Sequence, residues 1–181
     1  MFIARNLRKT NIAEYLLYMW QVEDLLRAHK LDIDALTEKV VSQYHLDDAQ
    51  RAELVEWYEN LLEMMRYEGV EKEGHLQINK NVIIQLNDLH ARLMHSTKFP
   101  YYQAAYYKVL PAIVELRSKS GTHDETEIEN CFDALYGVWM LKLQHRPLSK
   151  ETSGAMQDIS TFLGMLSDYY QKDNAGELKF E

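Results

Sequence analysis

A chain of 181 residues with a net charge of −8 is long enough to bury a sizeable core and, taken whole, repels nucleic-acid phosphates. Its 46% hydrophobic and 27% charged residues are those of an ordinary globular protein, and seven Gly and three Pro are too few for a loop-rich all-β fold. A single cysteine, Cys131, excludes an intramolecular disulfide.

The hydrophobic period is helical throughout, and it predicts an all-α, single-domain bundle of about six to seven helices spanning residues 1–181. The first helix covers Asn11–Lys30 and opens on the capping pattern Asn11-x-x-Glu14. The residues before it, with Arg5, Arg8 and Lys9, either extend it backwards or fray. A second helix is expected over Ile33–Tyr44, after Asp32. A third covers Asp48–Glu68, capped by Asp47 with Gln50 and stopped by Gly69. The fourth spans Leu76–Thr97. The fifth runs from Pro100, a favourable first-turn residue, to Lys119, with Pro111 expected to kink it and free the carbonyl of Tyr107. The sixth starts near Asp124, after Thr122-x-x-Glu125, and ends before Pro147. The seventh covers Glu151–Lys172, and residues 173–181 are expected to be frayed or weakly docked.

Two helices contrast in their angular pattern. In the third, Leu54, Val55, Trp57, Tyr58, Leu61, Leu62, Met64 and Met65 fill one half, while Glu56, Glu59, Asn60, Glu63 and Arg66 fill the other. That is a peripheral helix. The first helix is apolar on nearly every side, with only Glu14, Gln21 and Ala28 on a narrow polar line. It is expected to be central in the bundle or covered by a partner chain. Within it Glu23 intrudes on the apolar face one turn before Arg27. The expected arrangement is an exposed Glu23–Arg27 pair, because buried acids are rare; the alternative is a buried carboxylate held by Arg27.

The opening stretch "LRKTNIAEYLLYMWQVEDLLRAHKLDID", Leu7–Asp34, resembles the N-terminus of a bacterial family, the domain of unknown function numbered 4924. The length and helical pattern fit that family across the chain. The resemblance implies a small bacterial, cytoplasmic helical protein and transfers no activity, cofactor or catalytic residue.

No His has an acid three residues before it, as a di-metal carboxylate bundle requires, and no HExxH occurs. The His123 and Glu127 pair reads as a solvated acidic helix start. There is no Gly-rich phosphate loop and no GxSxG elbow, so neither a metal nor a cofactor is expected, and no catalytic motif marks an enzyme. The start, "MFIARNLRK", lacks an apolar h-region, and the longest apolar runs, "YLLYMW" and "YGVWML", are too short to span a bilayer. The cytoplasm is the expected setting, with no membrane.

Charge is uneven: nine acids against three bases over His45–Glu73, but six bases against two acids over Leu76–Lys119. The basic stretch holds the tyrosines of "PYYQAAYYKVLP" near Arg92, Lys98 and Lys108. Nucleic-acid binding is not expected from so few bases, and the acidic third helix could not serve as a recognition helix. Two functions remain. One is a non-enzymatic interaction or structural protein that pairs with itself, most simply as a dimer, or with another protein. Its surfaces would be the first helix and the acidic and basic faces. The other is a small-molecule binder taking an anionic ligand between the fourth and fifth helices. There Asn87 and His90 would supply polar contacts, and Tyr102, Tyr106 and Tyr107 walls and hydroxyls. Closed packing of the same residues, with Asn79, Asn87 and His90 as satisfied interior polar groups, is the competing expectation.

Overall fold

The computed structural model describes residues 1–120 and 125–180, with the side chains of Lys119 and Ser120 left aside. Among the described residues the chain is all-helical, with eight α-helices and no strand. They are α1 Phe2–Thr10, α2 Ile12–Ala28, α3 Ile33–Lys39, α4 Asp48–Tyr67, α5 Gln77–His95, α6 Pro100–Ser120, α7 Glu127–Leu143 and α8 Lys150–Asn174, with a short 3-10 turn over Val41–Gln43 after α3. The count exceeds six to seven because the basic N-terminal stretch is a helix in its own right, broken from α2 at Asn11.

The helix ends follow their local chemistry. Asp32 accepts from the backbone N–H of Asp34 and Ala35 at the start of α3. Asp47 and Gln50 form a reciprocal capping box on α4. Gly69, at φ +69°, closes α4 with Val70 N–H bonded to the Met65 carbonyl and Gly69 N–H to that of Arg66. The end of α2 has the same bonding pattern without a glycine: Lys30 and Leu31 both sit at positive φ, and Arg66 braces the Leu31 carbonyl at 2.7 Å. Thr126 caps α7 by accepting from Glu129 N–H. The expected start of that helix, with Thr122 and His123, lies outside the described residues.

The residues group into two compact units, and the divisions fall within or beside α1, α2 and α5. The first holds residues 1–9 and 14–81, the second 10–13 and 82–181. In the first unit, Leu16, Met19 and Leu26 of α2 are buried, as are Leu36, Val41, Tyr58, Leu62 and Met65. Along its length α2 is exposed only at Glu14 and Ala28. The outer face of α4 is the expected polar one, with Glu56, Glu59, Asn60, Glu63 and Arg66 exposed.

In the second unit α6, α7 and α8 pack on one another, α6 continuing across Pro111. Its core includes Leu86, Leu89 and Leu93 with Tyr102, Ile113, Phe132, Ile159 and Phe162. The C-terminal tail, expected to be frayed or weakly docked, makes defined contacts. The Phe180 ring lies 5.4 Å from that of Phe99, the Arg92 guanidinium sits 4.8 Å above it, and Ser96 Oγ donates to the Phe180 carbonyl.

Candidate functional site

Of the five expected ligand residues, the seam between α5 and α6 brings His90, Tyr102 and Tyr106 into mutual contact. His90 Nδ1 and Tyr102 Oη share a hydrogen bond of 2.6 Å, and the His90 ring contacts those of Tyr102, Tyr106 and Phe162. Tyr106 Oη donates to Glu127 Oε2 at 2.5 Å. Asn87 Nδ2 donates to the Ile83 carbonyl and to Thr126 Oγ1. Tyr107 touches the Tyr106 ring but is 62% exposed.

Burial lowers the pKa of His90 and raises those of Tyr102 and Tyr106, the last helped by its bond to Glu127. These groups bond mainly to one another and to neighbouring protein groups. Two cavities of the second unit, of about 240 and 340 Å³, are lined by other residues. Of the basic residues near this seam, Arg92 pairs with Asp173 and Lys108 with Asp158, both of α8.

A polar centre in the first unit departs from the sequence expectation. Glu23 is fully buried, not exposed, and Arg27 does not hold it. Its Oε2 meets His75 Nδ1 at 2.6 Å, while Oε1 accepts from Leu76 N–H at 2.9 Å and from Asn79 Nδ2 at 2.7 Å. The carboxylate therefore sits at the N-terminal end of α5, where backbone N–H groups and the helix dipole favour negative charge. His75 in turn stacks flat on Trp20, with ring centroids 4.1 Å apart. Arg27 instead pairs with Asp24 at 2.8 Å and donates to the carbonyls of Val70 and Gly74. Two neighbouring polar residues of α2 thus pin the segment between α4 and α5. Bonding the carboxylate fixes the Asn79 amide with its Oδ1 buried and unpaired.

The surface of α7 is the other departure from ordinary packing. Its first half is core: Ile128, Cys131 and Phe132 are fully buried. Burial pushes the Cys131 thiol up to about 12, so it behaves as a small apolar group rather than a nucleophile. Its second half is apolar around most of its circumference yet only half covered. Leu135, Val138 and Trp139 line the 340 Å³ groove beside α8. Tyr136, Met140 and Leu141 are half-buried on the other side, Leu143 is 56% exposed, and nothing stands within 4 Å of a Cβ built on Gly137. From Gly137 to Lys150 the chain has no acid, while Lys142, Arg146 and Lys150 are exposed.

Among the described residues no three His, Cys, Asp or Glu side chains converge as metal ligands, and no helix is long and apolar enough to cross a membrane. No curated protein and no solved structure is significantly similar to the chain. One family model, a domain of unknown function (DUF4924), matches residues 1–177.

Proposed function

The chain belongs to the DUF4924 family, a domain of unknown function, and from that premise we propose that it is a non-enzymatic helical interaction protein that assembles with a second copy of itself. The observation that carries this reading is the half-covered second half of α7. A helix apolar on most sides is normally enclosed, and this one is enclosed only as far as Phe132. The first predicted helix, offered above as an interface, is not available for the purpose, because α2 is covered within the chain.

Charge selects the occupant. The α7 end combines apolar side chains with Lys142, Arg146 and Lys150, while α4 presents the exposed ridge Glu56, Glu59 and Glu63. The two surfaces are complementary in sign and occur on every copy. A second copy therefore supplies what the α7 end lacks, and a two-fold dimer is the simplest closed form. Nucleic acid has no part in this reading. A reducing cytoplasm suits a chain whose one cysteine is a buried thiol.

The double variant Leu141→Glu/Leu143→Glu tests this reading, since it charges the exposed apolar side and leaves the buried half of α7 intact. Light scattering after size exclusion is expected to give the monomer mass for the variant and an oligomer for the wild type, with unchanged helical circular dichroism. A variant that keeps the wild-type oligomeric mass would refute the assignment of the surface.

A further inference from the structure

The first unit contains a groove of about 340 Å³ between α1 and the helices beneath it. Its floor is apolar and buried: Ala4, Met19 and Leu61 are each under a tenth exposed. Tyr15 and Trp57 form aromatic walls, and Arg5 and Arg8 of α1 stand at the rim.

The two arginines are not equivalent. Arg5 is committed to Glu53, 3.2 Å away. Arg8 meets no carboxylate among the described residues; its guanidinium lies 5.5 Å from the centre of the Tyr15 ring. The helix that carries them, FIARNLRKT, has no acid at all, so Lys9 adds to the same positive field.

We propose that this groove binds an organic anion with an apolar body, its carboxylate held by Arg8 and its hydrocarbon or aryl part lying on Met19, Leu61 and Trp57. An apolar slot of this size is in the range that holds small molecules. A cation already stacked on an aromatic ring is held in place to take a carboxylate in a two-pronged hydrogen bond. A neutral ligand would bury the slot and leave Arg8 without its counter-charge. A cationic one would be repelled by Arg8 and Lys9. The groove shares no residue with the surfaces proposed for self-association, and each can fail without the other.

Octanoate is the probe, titrated calorimetrically into the full chain beside octanol and octyltrimethylammonium, which carry the same tail with a neutral or positive head. The expected result is saturable binding of one octanoate, with the other two at least about tenfold weaker. Arg8→Gln should weaken octanoate by about tenfold, while Lys9→Gln on the same helix leaves it within about twofold. Both residues are exposed, so neither substitution threatens the fold. Octanol binding as tightly as octanoate would overturn the proposal. So would an Arg8→Gln variant with wild-type affinity, a Lys9→Gln loss equal to that of Arg8→Gln, or no saturable binding of octanoate. Vesicles of phosphatidylglycerol provide a last arm: retention on them without octanoate binding would assign the basic helix to a lipid surface and reject the groove.

Discussion

Glu23 illustrates how one charged side chain can be tolerated in a core. Ordinarily an ionised carboxylate is costly to bury, and here hydrogen bonds from Leu76 N–H, Asn79 and His75 offset that cost. Glu23→Ala would strand three donors and is expected to destabilise by about 3–5 kcal/mol in urea unfolding. Glu23→Gln should cost only about 1 kcal/mol, because its oxygen can still accept from Leu76 and Asn79 while its amide donates to His75 Nδ1 once the imidazole carries its proton on Nε2. Equal losses for the two variants would show that the hydrogen-bond pattern is not what holds the residue. His90 supplies a second residue-scale expectation. Its folded pKa is depressed by burial, so the unfolded chain takes up a proton first as pH falls. Stability should therefore fall as pH drops below about 6.5, down to the depressed folded value, and be fully regained above that window. Unfolding free energies of wild type and His90→Gln, measured between pH 5 and pH 8 (about the span in which His titrates), should converge towards the acid end.

At the scale of elements, what was legible in the sequence was whatever depends on near neighbours. The α4 cap at Asp47, its stop at Gly69 and its polar outer face all follow from residues within a few positions of one another. The buried partner set of Glu23 was not legible, because His75, Leu76 and Asn79 lie 52, 53 and 56 positions along the chain. An angular plot says which face of α2 Glu23 occupies, and not what covers that face. The same limit applies to the α5–α6 seam: spacing puts His90 near tyrosines, while Asn87 and Tyr106 find their partners in Thr126 and Glu127 at the start of α7. The separate helix α1 was hidden because its polar residues resemble a frayed end, and the groove it borders is completed by residues of α2, α4 and α5. Helix ends also give a paired prediction. Lys30 holds a left-handed conformation that glycine adopts freely, so Lys30→Gly should stabilise by about 0.5–1 kcal/mol. Gly69→Ala should destabilise by about 1 kcal/mol, although nothing lies within 4 Å of the added methyl. Thermal or urea unfolding of the two variants checks the opposite signs.

For the whole molecule, the net charge bears on the proposed meeting of two copies. With a net charge of −8, two copies repel one another on average, and the acid-free stretch from Gly137 to Lys150 is where that repulsion is reversed. Association driven by this stretch combines burial of Met140, Leu141 and Leu143 with attraction to an acidic ridge, so it should weaken with added salt without vanishing. Sedimentation equilibrium on the full chain, from about 1 µM to about 200 µM, spans association free energies of about 5–8 kcal/mol and tests the claim directly. The predicted result is an average mass that rises with concentration towards twice the 21.3 kDa of one chain and falls back as salt is added. A mass fixed at 21.3 kDa across the whole range would contradict it.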